Sequence, residues 1–310
     1  MSMYGYLFRR LLSTIPVMLV VAVFIFLMLR LTPSDPAAIL AGDSANSEQI
    51  AQIRQQLGLD QPMLQQFVIW SGRVLTGDFG ESFFFKKTVA ALIGERIEPT
   101  LSLAFFTMLI AVCVAVPLGV MAAHWHGSWL DRLVMGFSVP VFVVGYLLIY
   151  VFSIWLNWLP VQGYQRLSEG VGGWALRLLL PAVTLSVIYV ALIARMTRTS
   201  VLEVLSEDYI RTARAKGQSE RKVLFRHALR NAAVPIVTVI GLGVALLIGG
   251  VVVTESVFTI PGLGRLTVDA VLARDYPTIQ AVILLFSFVY VMINLAVDMI
   301  YTVLDPRIRY

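Results

Sequence analysis

The chain has 310 residues, of which 58% are hydrophobic and only 14% are charged, and its mean hydropathy is +0.80. A soluble domain carries roughly 25% charged residues, so this composition excludes an ordinary water-soluble protein and indicates several membrane spans. The formal net charge of +5 is attributed to basic cytoplasmic loops, which membrane proteins commonly carry, and not to a nucleic-acid surface.

Six apolar stretches are long enough to cross a bilayer as helices, which takes about 20 residues each. They are roughly 11–29, 101–123, 134–155, 176–196, 234–253 and 279–304. The first is expected to be an uncleaved span, because its apolar core exceeds the roughly 7–15 residues of a signal sequence. The sequence therefore predicts an all-α integral membrane protein with six transmembrane helices.

Basic residues orient these spans by the positive-inside rule. Arg9 and Arg10 precede span one, a cluster of Arg and Lys lies between spans four and five, and Arg307 and Arg309 end the chain. With six spans these segments share one face of the membrane. Both termini and residues 197–231 are therefore predicted to be cytoplasmic.

Three regions follow from this topology. They are an N-terminal transmembrane helix (1–31), an extracytoplasmic segment with amphipathic helices (32–98), and a core of five transmembrane helices (99–310). In the outer segment, apolar residues at helical spacing predict one helix that stops at Gly58, a second capped by Asp60, and a third ahead of Pro99. These helices are expected to lie on the outer membrane surface or against the spans.

The sequence lacks the residue sets that catalysis, nucleotide binding or metal binding require. It has no Gly-x-x-x-x-Gly-Lys-Ser/Thr loop. Its histidines, His124, His126 and His227, fall at predicted cytoplasmic edges or loops, and Cys113 is its only cysteine. Asp298 is the one acid well inside a span, where its place near the cytoplasmic end favours a packing or water-facing role over a substrate role. The chain is therefore predicted not to be an enzyme and to hold no cofactor or metal.

A short charged helix is predicted at 207–216, inside the basic loop. Its signals are Ser206 as N-cap, Glu207 and Asp208 in the first turn, Arg214 and Lys216 in the last turn, and Gly217 as the left-handed residue that ends it. A second helix, 220–231, leads into span five. A helix as short as 207–216 is marginal alone in water, so something must hold it.

Two interpretations of this short helix stay open on composition and spacing. In the first, the face formed by Tyr209, Ala213 and Lys216, with Ile210 and Gly217 beside it, docks into a groove of another protein. In the second, the basic residues touch anionic membrane lipid.

The amino-acid sequence of this loop resembles that of a known family. It reads Asp208-Tyr-Ile-Arg-Thr-Ala-Arg-Ala-Lys-Gly217 and then Arg226-His-Ala-Leu-Arg-Asn231. Both pieces resemble the cytoplasmic loop of ABC-importer permeases of the dipeptide/oligopeptide/nickel family, although only Ala213, Gly217 and Leu229 keep the general importer signature. Weaker resemblances at 57–62, 77–82, 158–163, 255–265 and 305–307 extend over nearly the whole chain. The long outer segment resembles that of the first of the two permeases in such systems.

The resemblance implies a type I ABC-importer permease in a bacterial inner membrane, forming half of the pathway for a peptide or similar small solute. It implies a second homologous permease, two ATPase subunits that hydrolyse the ATP, and an external solute-binding protein as partners. The alternative is a secondary transporter or channel of another six-helix family, for which no clear internal repeat is seen. The substrate stays open among peptides, glutathione, nickel chelates, oligosaccharides and opines.

Two sets of candidate residues follow from the resemblance. The first set is a coupling helix to the ATPase, comprising Glu207, Asp208, Tyr209, Ile210, Arg211, Thr212, Ala213, Arg214, Lys216 and Gly217. The second set is expected at the pathway or its outer mouth, and comprises Glu255, Arg265, Gly249, Gly250 and Asp298.

Overall fold

The computed structural model describes residues 3–30, 46–56, 59–82, 84–136 and 140–304, and helices dominate them. The helices are α1 (Met3–Arg30), α2 (Ser47–Gln56), α3 (Met63–Leu75), α4 (Val89–His124), α5 (Trp129–Gly136), α6 (Val141–Trp155), α7 (Val171–Leu205), α8 (Asp208–Ala215), α9 (Glu220–Asn231), α10 (Ala233–Val257), α11 (Leu263–Leu272) and α12 (Tyr276–Leu304). Two short strands, β1 (Glu81–Ser82) and β2 (Lys87–Thr88), pair antiparallel with Glu81 opposite Thr88. Parts of two helices have π geometry, Ile149–Trp155 in α6 and Val223–Ala228 in α9.

Four helical stretches in the described ranges are long and apolar enough to cross a bilayer. They are Arg9–Met28, Val89–His124, Val171–Leu205 and Tyr276–Tyr301. A fifth candidate is the pair Glu220–Asn231 and Ala233–Leu247, if this pair, bent by 63°, counts as one span. α6 is apolar but has 8 residues in its α part and 7 in its π part. It is therefore about 22 Å long, shorter than the roughly 30 Å hydrocarbon core, and the six-span count stays a prediction.

The third predicted span is not one helix. α5 ends at Gly136, and α6 begins after Pro140, which has extended backbone. Proline cannot donate a helical hydrogen bond and disfavours helical backbone in the residue before it, so a break at this position has a physical cause.

The apolar stripe predicted as a separate helix ahead of Pro99 is instead the first part of α4. That helix continues through both Pro99 and Pro117. Prolines are tolerated inside membrane helices where neighbouring groups satisfy the freed carbonyl. The helix stop predicted at Gly58 and the family-like residues 305–307 lie outside the described residues.

The chain divides into two compact units. The larger unit comprises Met1–Tyr6, Glu98–Arg265 and Met292–Tyr310, and the smaller unit comprises Leu7–Ile97 and Leu266–Val291. In the larger unit α7 packs against α5, α6 and α10. Its core includes Leu103 and Ala111 of α4, Ile149 of α6, Leu178, Leu185 and Ile193 of α7, and Leu247 of α10.

The smaller unit is held by aromatic and polar contacts. The ring of Phe26 in α1 is buried, with its centroid 5.3 Å from that of Phe67 and 5.7 Å from that of Trp70 in α3. Ahead of α12, the buried Asp275 carboxylate accepts hydrogen bonds from Ser82 Oγ at 2.5 Å and Thr278 Oγ1 at 2.7 Å. The two-stranded hairpin is thereby tied to the start of α12.

A Gly119→Val substitution is expected to weaken the packing of α4 on α7. A Cβ atom at Gly119 would lie 2.6 Å from Thr197 Cβ and 2.7 Å from the backbone oxygen of Ala194. Because backbone cannot move aside as a flexible side chain can, overpacking should cost about 1–3 kcal/mol. Thermal unfolding in detergent should show a lower melting temperature. Gly94→Ala is the control, since its Cβ would meet nothing within 4 Å; equal melting temperatures would contradict the close approach.

Candidate coupling site

α8 is a helix of eight residues that starts one turn after α7 ends. Its N-cap is Glu207, which has extended backbone (φ −71°, ψ 144°) and makes no capping hydrogen bond with its side chain. Ser206 was predicted as the N-cap, and that prediction is wrong by one residue. Ser206 has helical backbone and closes α7, with its Oγ donating to the Glu203 carbonyl at 2.6 Å. A serine hydroxyl bonds back to a preceding turn as readily as it caps a following helix, so the sequence alone was ambiguous here.

The predicted helix end at Gly217 is confirmed. Gly217 has φ +77°, its amide donates to the Arg214 carbonyl at 2.9 Å, and the Gln218 amide donates to the Ala213 carbonyl at 3.3 Å. This pair of bonds is a Schellman motif, which satisfies carbonyls that the helix end would otherwise leave unpaired. Left-handed backbone is strained for residues with a Cβ atom, so glycine suits this position.

Side-chain contacts across Gly217 hold α8 and α9 together. Arg214 binds Glu220 through two hydrogen bonds of 2.8 and 3.3 Å, and His227 Nε2 lies 2.9 Å from Gln218 Oε1. We call α8, Gly217 and α9 together the α8–α9 elbow. Its two arms are therefore joined by backbone and by side chains.

The elbow is anchored to the larger unit by apolar residues of α9 and the start of α10. Leu224, Ala228, Ala232 and Ile236 are buried in one cluster with Val120 and Ala123 of α4 and Val201 of α7. After α9 the chain bends by 63° between Glu220–Asn231 and Ala233–Leu247. α9 and the start of α10 therefore share one packed core with α4 and α7.

One side of α8 is covered by its own chain and the other is open. Ile210 is 0% exposed and Ala213 is half-buried. Burial raises the pKa of Tyr209, and a hydrogen bond with the Asn231 side chain acts in the opposite direction. The face that the sequence grouped around Tyr209 and Ala213 is therefore partly covered at Ala213, while Tyr209 is 43% exposed.

The open side of α8 is mostly polar. The exposed residues are Asp208, Tyr209, Arg211, Thr212, Arg214, Ala215 and Lys216. The side chains of Asp208 and Arg211 are 95% and 74% exposed, and Arg211 Nη1 lies 3.4 Å from Asp208 Oδ1. This open face, and not the one containing Ile210, is available to a partner.

An ion pair braces α7 near the elbow. The guanidinium of Arg198 donates to both carboxylate oxygens of Asp131, and its Nη2 lies 2.9 Å from His126 Nδ1. Hydrogen bonds from Arg198 and from the Gly127 amide hold the pKa of Asp131 well below its usual range. The pair therefore stays ionised at neutral pH and fixes the turn between α4 and α5 to α7.

At the far end of α10, Glu255 organises a loop. Its side chain is 0% exposed, and its carboxylate accepts hydrogen bonds from Thr100 Oγ1 at 2.6 Å and the Arg265 amide at 2.9 Å. Thr100 Oγ1 in turn accepts from the Leu263 amide at 2.8 Å. A Cβ atom at Gly262 would lie 2.0 Å from Glu255 Oε1, so glycine lets the loop close over the carboxylate.

Of the remaining pathway candidates, Asp298 lies apart from Glu255 and its hydrogen-bond partners. Gly249 and Gly250 fall within α10, and Asp298 is half-buried in α12. Its neighbour Val297 faces Gly241, where an added Cβ atom would lie 2.2 Å from Val297 Cγ2. Because Gly241 precedes Glu255 by about 21 Å along α10, the structure separates Asp298 from Glu255.

Sequence reasoning missed the partners of two candidate residues. Thr100 lies 155 positions from Glu255, and no spacing rule connects them. Glu220 lies six positions from Arg214 across a glycine, which is not a helical spacing. Neither contact leaves a signal in a single sequence.

Comparison with known proteins decides the family. Residues 115–310 match the family model described as "Binding-protein-dependent transport system inner membrane component", and residues 3–104 match the model of its N-terminal part. The chain belongs to this family. It is thus a permease subunit of an ABC importer in the inner membrane, and the alternative of a secondary transporter or channel is set aside.

Relatives and a solved structure agree with this assignment. The permease is 56% identical to the "Probable peptide ABC transporter permease protein y4tP" of Sinorhizobium fredii, over 98% of this chain and 99% of that protein. It is 47% identical to the "Glutathione transport system permease protein GsiC" of Escherichia coli (strain K12), over 99% and 100% of the two chains. Its fold is similar to that of a chain of the inward-facing MetNI methionine ABC transporter, with a TM-score of 0.57 and 19% identity over 69% of this chain and 96% of that one.

Proposed function

We propose that this permease forms half of a translocation pathway for short peptides or glutathione-like solutes. The proposal is supported by near full-length similarity to permeases named for a peptide and for glutathione. A second homologous permease would complete the pathway, and an external solute-binding protein would deliver the solute, as the family description suggests.

We further propose that the open face of α8 docks on a separate ATPase subunit, one for each permease. The supporting observation is the α8–α9 elbow, whose outer face is polar and open while Ile210 and the cluster around Leu224 hold its inner side. ATP binding and hydrolysis in the partner would then displace α8, and the elbow would pass the displacement to α10. The ATPase must contact α8 differently in two states, since a partner with equal affinity for both would shift nothing.

The proposed topology keeps six spans with both termini in the cytoplasm. α5 and α6 would together form the third span, and α9 with α10 the fifth. Residues 1–31 would form the first span, residues 32–98 the outer segment and residues 99–310 the permease core. The loop that Glu255 holds would then lie at the outer mouth with Arg265, while Gly249, Gly250 and Asp298 are pathway candidates inside the core.

Charge reversal on α8 tests the docking proposal. Arg211→Glu should lower ATP-dependent uptake about tenfold in vesicles that contain both permeases, both ATPases and the binding protein. Because the Arg211 side chain is 74% exposed, its replacement should leave insertion and melting temperature unchanged. Fewer ATPase subunits should co-purify with the variant.

The matched control is Arg166→Glu, an exposed arginine in the loop after α6. Normal ATPase co-purification and normal uptake by Arg211→Glu would contradict docking through this face. Vanadate-insensitive uptake by the unmodified importer would contradict the proposed function itself.

A further inference from the structure

α6 buries one side and leaves the other uncovered. Gly145, Ile149 and Ser153, four residues apart, are buried, and a Cβ atom at Gly145 would lie 3.1 Å from Thr184 Cγ2 in α7. Away from this packed side, Tyr146 and Tyr150 are 60% and 62% exposed. The exposed surface continues with Phe142, Leu147 and Ile154.

The two tyrosines are unusual in their bonding. They lie about 8 and 14 Å from the start of a helix about 22 Å long, so neither is at an end of α6. Tyrosines of membrane helices concentrate at the two interfaces, where the hydroxyl reaches water. No hydrogen bond joins either phenol oxygen to the described part of the chain, and a hydroxyl without a partner is costly in hydrocarbon. These positions therefore suit water or a polar partner better than lipid.

The backbone of α6 also favours a polar environment over lipid. The helix is short for a span, starts at a break after α5, and ends in the π turns Ile149–Trp155. Broken helices at membrane depth occur where they are buried in protein or line a water-filled cavity, and π turns are frequent at functional sites. Because no described residue of this chain covers the tyrosine side, the cavity is the better match.

We propose that Tyr146 and Tyr150 line the translocation pathway and hydrogen-bond the uncharged amide backbone of the transported peptide. This inference rests on the proposed function. A phenol both donates and accepts hydrogen bonds, which matches amide N–H and carbonyl groups. Four residues of α-helix rise about 6 Å, close to the roughly 6.6 Å between carbonyls that face the same way in an extended peptide.

The same surface explains how different peptides could share one pathway. α6 contains no charged side chain between Val141 and Trp155. Such a face selects neither for side-chain charge nor for a charged terminus. It would therefore bind the amide backbone, which all short peptides have in common.

Removing the two hydroxyls tests the chemistry. The double variant Tyr146→Phe/Tyr150→Phe keeps both rings and should lower uptake of a radiolabelled tripeptide at least fivefold, with unchanged insertion and ATPase co-purification. The matched control is Tyr276→Phe at the start of α12, which should transport normally. Normal uptake by the double variant would overturn the proposed hydrogen bonds.

Cysteine accessibility tests the location. In a Cys113→Ala background, Tyr146→Cys and Tyr150→Cys should react with a charged methanethiosulfonate in assembled importers. Reaction should slow at least fivefold when vanadate traps the ATPases. Ile149→Cys lies on the packed side, where Ile149 is 7% exposed, and should not react because it is buried. Val20→Cys lies on α1, where Val20 is 68% exposed, and should not react because the first span is expected to face lipid at this position.

Two other patterns would overturn the inference. Quenching of a fluorophore at positions 146 and 150 by spin-labelled lipid, without reaction with the charged reagent, would place them against the bilayer. Crosslinking to the second permease in every state would make this face a subunit interface. Vanadate-sensitive tripeptide uptake by the unmodified importer in the same vesicles separates failure of this inference from failure of the proposed function.

Discussion

Replacing Gly217 by proline is expected to reduce ATP-dependent uptake to the background of vesicles without ATP. Proline fixes φ near −65°, whereas Gly217 has φ +77°, and it lacks the N–H that donates to Arg214. It also favours extended backbone in the residue before it, whereas Lys216, which closes α8, has φ −78° and ψ 8°. Without the Schellman turn, Arg214 and Glu220 would no longer meet, and movement of α8 would be lost in the loop.

A graded series makes this prediction specific. Gly217→Asn should retain most uptake, because asparagine tolerates left-handed backbone. Gly217→Ala should be intermediate, since the left-handed region costs about 1–2 kcal/mol for a residue with a Cβ atom. All three variants should insert with unchanged yield. Uptake by Gly217→Pro at more than half the unmodified rate would show that the elbow does not transmit the motion.

The elbow could be predicted from sequence because its signals are local. A cluster of Arg and Lys identifies a loop that cannot cross the membrane, and the glycine after the last basic turn identifies the helix end. The first signal is the composition of one loop, and the second involves residues fewer than about four positions apart, where helical spacing rules apply. The Ser206 error shows the limit of such signals, because a hydroxyl at a helix junction fits either helix.

Contacts between distant residues could not be predicted in the same way. The sequence does not distinguish Ile210 from any other apolar residue on a short helix. The face of α8 that the rest of the chain covers depends on the position of α9. The break before α6 was marked by Pro140, but hydropathy across 134–155 was continuous and favoured one span. Exposure and packing, not composition, distinguish Tyr146 and Tyr150 from other aromatic residues of the spans.

A Glu255→Ala substitution is expected to destabilise the permease by about 3 kcal/mol. It removes a buried acceptor from Thr100 Oγ1 and the Arg265 amide and leaves a cavity under the loop that follows α10. Glu255→Gln should be milder, because an amide oxygen can still accept from Arg265 while its NH₂ group faces the Thr100 hydroxyl. Thermal unfolding in detergent should rank the three proteins as unmodified, Gln and Ala in decreasing melting temperature.

The same series separates two roles for Glu255. The matched control is Glu169→Gln, an exposed acid in the turn before α7, which should melt like the unmodified permease. If Glu255 served mainly to contact the external binding protein, Glu255→Ala would keep its melting temperature and lose affinity for that protein. A carboxylate that is 0% exposed cannot reach a partner without opening the loop, so the expected order is loss of stability first and loss of uptake as its consequence.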